Sequence, residues 1–182
     1  MPLDDITHIF ENQKSSRLIS LNYKFWNGLF SLKKFIQLLE KYLPNTFTDL
    51  SIPFAVGVCD KNNNHRLINT GELVLPVVAS GAVPKLFKPI YYNENYYVDG
   101  AVVGRLGLSA WCELRPNTEI IVHNIASSRI DFKYEQPKGN CFVVNTPRSK
   151  SSLFGKTYFQ EEVEKAFNIA MREIDHSLNK HK

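Results

Sequence analysis

Apolar positions at the C-terminal end of the chain follow a helical period. Thr157 and Gln160 have the spacing of a capping box, which marks the start of a helix. The apolar residues that follow recur on one side of such a helix, as expected for a helix packed on a core. This stripe consists of Phe159, Val163, Phe167, Ala170, Ile174 and Leu178. The pattern predicts a long C-terminal helix.

The first 45 residues also carry a helical pattern. Ser31 is a suitable N-cap, and Pro44 ends the periodic segment. The apolar positions with helical spacing between them are Leu32, Phe35, Ile36, Leu39 and Leu43. We therefore expect the N-terminal quarter to be helical.

The middle of the chain changes to short apolar runs separated by polar turns. Residues 52–58 and 65–69 flank the polar segment 60–64, which predicts a β-hairpin. Two pairs of tyrosines surround a second polar turn within residues 91–97 and predict a second hairpin. Further strand candidates are residues 119–123 and 141–144. Strands mixed with helices predict an α/β fold.

Residues 72–80 fit two structures. Leu73, Val74, Leu75, Val77 and Val78 suit a strand by composition. Pro76 argues against a central strand because proline has no N–H to donate. Periodicity alone leaves strand and helix open.

Composition and charge narrow the class of protein. A chain of 182 residues, with 43% hydrophobic and 22% charged residues, is typical of one globular domain, and we expect a single domain over residues 1–182. The net charge of +4 is spread along the chain without a basic-aromatic cluster, which argues against a nucleic-acid partner. No segment has the ~20 apolar residues that cross a bilayer, so any membrane contact would be peripheral.

The cysteines and the N-terminal residues indicate in which cellular compartment the protein is expected. Cys59, Cys112 and Cys141 are widely spaced and odd in number, so neither a disulfide framework nor a zinc site is predicted. The acidic, polar first residues do not resemble a signal peptide. We expect free thiols in a reducing compartment and a cytoplasmic location.

The most unusual segment is residues 79–89, in which small residues flank one proline and a second proline ends the run. Such a run allows the backbone to pass close to another element without side-chain clashes. The predicted second hairpin then leads into Asp99, Gly100 and Ala101. An aspartate directly after a strand, beside a glycine that can adopt unusual torsions, can serve catalysis at the carboxyl edge of an α/β sheet. Asp-Gly is also a common turn dipeptide, so the combination carries more information than the pair.

This combination resembles the patatin-like phospholipases. That family has an A-S-x-A-x-P segment, then F-x-P, then a hairpin into D-G-G or D-G-A. The first element is matched by Ala79, Ser80, Ala82 and Pro84, the second by Phe87 and Pro89, and the third by Asp99, Gly100 and Ala101. The specific resemblance covers residues 46–103. It implies an incomplete three-layer patatin-like sheet with flanking helices, and a helix rather than a strand at residues 73–80.

The resemblance also implies a chemistry. The family hydrolyses lipid acyl esters with a serine–aspartate dyad, in which the aspartate is the general base. That role falls on Asp99. The implied substrates are phospholipids or other acyl esters, and no cofactor or metal is implied. A dyad needs no histidine, and of the five histidines only His123, at a predicted strand end, is a candidate for a test; we interpret it as structural.

Two family features are missing from the sequence. The nucleophile elbow G-x-S-x-G and the glycine-rich oxyanion loop that precede this region in the family have no counterpart. Residues 107–111 resemble an elbow only superficially. Trp111 replaces the last glycine, and Ser109 follows Asp99 instead of preceding it, so we assign no nucleophile. After D-G-G or D-G-A the family usually continues with an asparagine and a proline, and here Gly104-Arg105-Leu106-Gly107 stands in that place.

Three interpretations remain open. The chain is the C-terminal part of a lipid acyl hydrolase that needs a serine-bearing N-terminal fragment, or a catalytically inactive lipid-binding or interaction fragment, or an inert gene fragment. Loss of core strands would expose an unpaired sheet edge and apolar faces. We therefore expect the chain alone to be inactive, and to misfold, to associate or to be completed by an N-terminal partner fragment.

Overall fold

Short strands and helices alternate in the computed structural model, which describes residues 18–22, 28–104, 106–126, 141–147 and 159–180. The chain divides into two units, Met1–Ala110 and Trp111–Lys182, and each is described by itself. With several sheets and helices among the residues just given, the structure confirms the mixed α/β class and is compatible with the patatin-like fold. The expectation of a single domain over residues 1–182 stays a prediction.

The first unit is built on a four-stranded antiparallel sheet in the order β4-β3-β6-β5. Its strands are β3 (Val56–Asp60), β4 (His65–Ile68), β5 (Ile90–Tyr92) and β6 (Asn95–Asp99). Both predicted hairpins are confirmed, because β3 pairs with β4 and β5 pairs with β6. The central pair, β3 with β6, places Val58 opposite Asp99.

Local turn chemistry explains why the hairpins form where they do. In the β5–β6 turn, Asn93 and Glu94 have φ values of 44° and 60°, the two left-handed residues that a tight hairpin turn requires. In the β3–β4 turn, Asn63 has φ 59°, and the Asp60 carboxylate accepts hydrogen bonds from the backbone N–H groups of Asn62 and Asn64. Asparagine and aspartate are suited to both tasks.

The N-terminal quarter is not wholly helical as predicted. Strands β1 (Ser20–Leu21) and β2 (Phe30–Ser31) pair antiparallel, and helix α1 (Lys33–Leu39) follows them. The predicted N-cap is wrong by one residue: Leu32 is the N-cap and makes no side-chain cap hydrogen bond, while Ser31, one residue earlier, accepts a long hydrogen bond of 3.3 Å from the Lys33 N–H. The helical prediction failed for β1 and β2 because they are stabilised by non-local pairing: Phe30 donates to Leu86 O at 2.9 Å.

The first strand of the hairpin begins later than predicted. Residues 52–55 lie outside β3, and Ile52 is 75% exposed. Before them, Thr46 and Asp49 form a capping box around a short 3-10 turn, Phe47–Asp49. Pro53 has no N–H for a strand ladder, which accounts for the later start.

The ambiguous segment is a helix, as the family resemblance implied. Helix α2 (Val74–Ala79) buries Val74, Pro76, Val78 and Ala79. A helix buried on most of its surface has no polar face, so its composition is close to that of a strand. Pro76 lies in the first turn, where backbone N–H groups have no acceptor within the helix, and it is therefore tolerated there.

The core of the first unit lies between α2, the sheet and the segments around it. Its largest fully buried side chains include Leu73, Val58 and Val78. The remaining buried members of the cluster are Leu32, Phe47, Val56, Val74, Ala79, Ala82, Phe87 and Ile90. Two small residues of the 79–89 segment, Ala79 and Ala82, are thus part of the core.

The second unit contains a parallel strand pair and the C-terminal helix. Strands β7 (Ile120–Ala126) and β8 (Cys141–Pro147) confirm and extend the two predicted strands, and α4 (Phe159–Lys180) confirms the predicted helix and contacts β8. Thr157 lies outside the described residues, so its capping role stays a prediction. Phe167 is 62% exposed, so this member of the predicted stripe is not buried. Helix α3 (Leu108–Leu114) spans the boundary of the two units.

Candidate active site around Asp99

Asp99 is the last residue of β6 and lies on a tight turn. Its side chain is half-buried, and its Oδ1 accepts a hydrogen bond of 2.9 Å from the backbone N–H of Ala101. This bond caps the short 3-10 helix Gly100–Val102 that follows the strand. The turn therefore fixes the carboxylate relative to the sheet.

The second carboxylate oxygen of Asp99 has a different environment. Among the described residues, the structure gives Oδ2 no hydrogen-bond partner. One oxygen is thus held by the backbone while the other remains available to accept a proton. A general base must first lie within reach of the proton that it takes, and an arrangement that holds the carboxylate in one position is suited to this.

Gly100 is needed for space and not for an unusual torsion. It is buried, and a Cβ at this position would lie 2.6 Å from Gly57 O and 3.0 Å from Val58 N. Its φ is not among the positive values of the chain. The turn therefore does not use the unusual torsions that a glycine can adopt. The glycine is required because the turn lies directly on the backbone of β3.

The first and third motif elements are in direct contact. The Asp99 N–H donates to Ala82 O at 3.1 Å. Ala79 and Ala82 are fully buried, and Ser80 Oγ donates to Val77 O at 2.7 Å at the end of α2. The small residues were predicted to allow close backbone approach, and this hydrogen bond is such an approach.

The second motif element pairs with β2. Phe30 forms a parallel bridge with Phe87, their ring centroids lie 6.4 Å apart, and Lys88 N donates to Phe30 O at 2.9 Å. Gly28 has φ +112°, and a Cβ there would overlap the carbonyl group of Phe87. Gly28 was missed in the sequence because the residue it approaches is almost sixty positions away.

The position of Asp99 does not follow the rule for parallel sheets. β6 is antiparallel to both of its neighbours, β3 and β5. The argument that catalytic groups collect at the carboxyl edge of an open parallel sheet therefore does not apply to this sheet. What places Asp99 is the hairpin and the contact of Gly100 with β3.

Apolar side chains are exposed next to the turn. Val102 is 51% exposed, and Val103 and Leu106 are also exposed. Val83, which follows the residue that accepts the Asp99 N–H, is exposed as well. Neighbouring exposed apolar groups of this kind are suited to contact with a hydrocarbon chain.

Ser109 and His123 were the other two residues considered in the sequence. Ser109 is exposed in the first turn of α3, and Gly107, directly before the helix, has φ +59°. An elbow would instead place the serine between a strand and a helix. His123 lies on β7, where its Nε2 is 2.8 Å from Thr146 Oγ1.

His65 was not singled out in the sequence, yet it contacts the glycines that flank the Asp99 turn. A Cβ on Gly57 would lie 2.8 Å from its ring, and a Cβ on Gly107 would lie 2.9 Å from it. Burial lowers the pKa of the imidazole. The glycines at 104 and 107, where the family has other residues, were the signal that could have pointed to a space-limited contact.

Other chemistry is not evident in the part of the chain that the structure describes. Cys59 and Cys112 are free, and burial raises the pKa of the Cys59 thiol. No group of three or more His, Cys, Asp or Glu side chains in the described ranges has the arrangement of a metal site. Within the same residues, no helix has the length and apolar content needed to cross a bilayer.

The fold and the site define a mixed α/β protein with a half-buried aspartate at a strand-to-turn junction. The family model described as patatin-like phospholipase matches residues 1–110, and the chain belongs to this family. No curated protein matches the chain. Family membership makes the protein one of the lipid acyl hydrolase kind, with lipids as the class of substrate.

Proposed function

We propose that Asp99 is the general base of a serine–aspartate dyad that hydrolyses acyl esters of lipids. The observation that carries this proposal is the Asp99 carboxylate, with Oδ1 bound by Ala101 N–H and Oδ2 without a partner among the described residues. The serine belongs to a G-x-S-x-G segment that these 182 residues lack, so the chain contributes the base and not the nucleophile.

The proposed reaction uses the Asp99 carboxylate twice. As the serine oxygen attacks the ester carbonyl carbon, its proton passes to Oδ2 of Asp99. The tetrahedral intermediate then collapses, the C–O bond to the alcohol breaks, and the departing alkoxide takes that proton. Water, deprotonated by the same carboxylate, releases the fatty acid from the acyl-serine. The carboxylate then passes the proton from water to the departing serine oxygen. The alcohol and the fatty acid leave as products, and the serine hydroxyl and the Asp99 carboxylate are regenerated.

The exposed apolar residues beside the turn support an acyl substrate. Val102, Val103 and Leu106 are exposed within seven residues of Asp99. Burying such side chains against a hydrocarbon chain is favourable by about 25 cal/mol per Å² of apolar surface. The chain of the substrate would then lie where the carboxylate can reach the serine proton.

The test is complementation. The full chain is mixed or co-expressed with a serine-bearing fragment of the family, and hydrolysis of a phospholipid is measured. Asp99→Asn should abolish the hydrolysis, whereas Glu40→Gln, which neutralises an exposed carboxylate at the end of α1, should not. Full activity of the Asp99→Asn variant would show that the base is another group.

A second function, lipid binding without catalysis, is favoured by the same exposed valines and by the missing nucleophile. The isolated full chain would then sediment with phospholipid vesicles, and Val102→Ser with Val103→Ser would release it. A chain that stays in the supernatant with both neutral and anionic vesicles would exclude this function.

Two further parts of the proposal concern context. A complementing N-terminal fragment would pair with this chain as one patatin-like domain, of which residues 1–182 form the C-terminal part. The free thiols of Cys59 and Cys112 support a reducing compartment such as the cytoplasm. Contact with membranes would be peripheral, through the exposed residues beside Asp99.

A further inference from the structure

The imidazole of His65 lies against three glycines. We call Gly57, Gly104 and Gly107 the glycine seat. A Cβ on Gly57 would lie 2.8 Å from His65 Nε2, and one on Gly107 would lie 2.9 Å from Cε1. A Cβ on Gly104 would lie 3.7 Å from His65 Cδ2, which is an ordinary contact distance. The ring is therefore in tight contact with two of the three glycines.

One nitrogen of this ring lacks the hydrogen bond that a buried polar atom usually makes. Nδ1 is buried and has no hydrogen-bond partner among the described residues. Buried polar atoms are nearly always hydrogen-bonded, so an exception calls for an explanation. Burial also lowers the pKa of the ring, which favours its neutral form. Since Nδ1 makes no hydrogen bond there, we attribute the effect of the neutral ring to the space that it fills between the glycines.

The glycine seat is connected to the turn that carries Asp99, residues 99–104. Gly57 is in close contact with Gly100, since a Cβ on Gly100 would lie 2.6 Å from Gly57 O. Gly104 N donates to Gly100 O at 3.1 Å and closes the turn. One member of the seat thus lies under the start of the turn, and another is its last residue.

We propose that His65 is a positioning residue whose ring, by filling the glycine seat, holds residues 99–104 against β3 and so fixes the direction of the Asp99 carboxylate. The effect on the turn is independent of what Asp99 does. Its effect on catalysis rests on the proposed function.

The first test measures the turn directly. Hydrogen exchange of the Ala101 N–H, which binds Asp99 Oδ1, is followed by NMR in the full chain and in the variants Gly57→Ala, His65→Ala and the double variant. Each single change should raise exchange at Ala101 about tenfold or more, because the turn opens locally. The double variant should show no further rise, since the alanine at 57 no longer meets a ring.

Two controls separate local from general effects. Gly104→Ala adds a methyl group to the same seat at an ordinary contact distance and should leave Ala101 exchange unchanged. The Thr46 N–H binds Asp49 Oδ2 at 3.0 Å and is a reference of the same bond type in a different part of the unit. Its exchange should not change in any variant.

The proposal is overturned if Gly57→Ala leaves Ala101 exchange unchanged, if Ala101 and Thr46 exchange rise together, or if the two changes are additive. Should Gly57→Ala fail to fold, the ratio of Ala101 exchange to Thr46 exchange is compared between His65→Ala and Gly104→Ala. The proposal is overturned if this ratio is the same in the two variants.

The second test concerns catalysis in the complemented enzyme. His65→Ala should lower kcat by about 10- to 100-fold with KM nearly unchanged, as expected when a base is misplaced and substrate binding is not. If KM instead rose by 10- to 100-fold while kcat stayed constant, this would contradict a positioning role. If Asp99→Asn retains activity, the dyad is wrong, while the exchange measurements still decide whether His65 positions the turn.

Discussion

Asp60 and Asp99 are the last residues of two paired strands in the same sheet, and their carboxylates differ in how they are bound. Asp60 ends β3, is only 5% exposed, and both of its oxygens accept hydrogen bonds. Asp99 ends β6, is half-buried and has one oxygen bound. The number of donors around a carboxylate, more than its residue type or its place in a strand, separates a structural aspartate from a candidate base.

The environment of Asp60 is that of a structural anion. Its hydrogen bonds, that from the Asn64 backbone N–H foremost, lower the pKa of Asp60 to about 2, and Arg66 Nε lies 3.1 Å from Oδ2. A carboxylate with so many donors is a poor acceptor for a substrate proton. Its task is to hold the β3–β4 turn, and through that turn the start of β4, where His65 lies.

The largest expected effect comes from Asp99→Asn. The asparagine keeps an oxygen for the Ala101 N–H but cannot accept the serine proton, so kcat of the complemented enzyme should fall by about 10³-fold or more. Thermal unfolding should change little, because the bond within the turn is retained. Asp60→Asn provides the comparison: it should lower kcat far less. Equal losses of kcat in the two variants would remove the distinction between the two carboxylates.

Gly100→Ala should have the next largest effect. The methyl group would come within 2.6 Å of Gly57 O, so the turn must move away from β3. We expect a loss of about 1–3 kcal/mol in the free energy of unfolding and about a 100-fold loss of kcat. Gly81→Ala is the matched control, since its methyl group would lie 3.9 Å from the nearest atom, Val78 O. Denaturant titrations and kinetics of both variants check the prediction, and an active, stable Gly100→Ala variant would contradict it.

Asp60→Asn should affect stability instead. An amide presents one oxygen and an NH₂ group to a site in which both carboxylate oxygens accept hydrogen bonds, so bonds are lost and a donor faces other donors. We expect a lower melting temperature and faster hydrogen exchange at Asn62 and Asn64. Exchange at Ala101 reports whether the loss stays local to the β3–β4 turn. An unchanged melting temperature would show that the hydrogen bonds of Asp60 contribute nothing.

The smallest effect is a difference in pH dependence. The folded pKa of Asp60, about 2, is below its ordinary value of 3.8, so this group stabilises the fold above pH 3.8 and loses that contribution as pH falls toward 2. The stability difference between the wild-type chain and Asp60→Asn should therefore shrink over this range. Urea titrations of both proteins at several pH values measure it. A difference that is constant from pH 5 to pH 2 would contradict the low pKa.

The hairpins, the C-terminal helix and the motif of Asp99 were readable in the sequence because their signals are local. Turn residues such as Asn93 and Glu94 determine a reversal of the chain over a few positions. The motif elements around Ala82 and Asp99 pointed to one family through their order and spacing. The long helix Phe159–Lys180 is a periodic segment, the most dependable of all patterns.

Contacts between distant segments decided the rest. The pairing of β2 with residues 85–88 replaced an expected helix, and the fully apolar surroundings of α2 made its composition ambiguous. The roles of Gly57 and Gly100 depend on the space around them: a Cβ on Gly57 would lie 2.8 Å from the His65 ring, and one on Gly100 would lie 2.6 Å from Gly57 O. No periodicity in the sequence indicates such contacts. The sequence by itself determined that a carboxylate stands at the end of a hairpin. The donor to this carboxylate, the Ala101 N–H, is only two residues away in the chain. Only the tertiary structure decided that the turn carrying both groups lies against β3, because the space that Gly100 leaves there is bounded by Gly57, about forty positions earlier in the sequence.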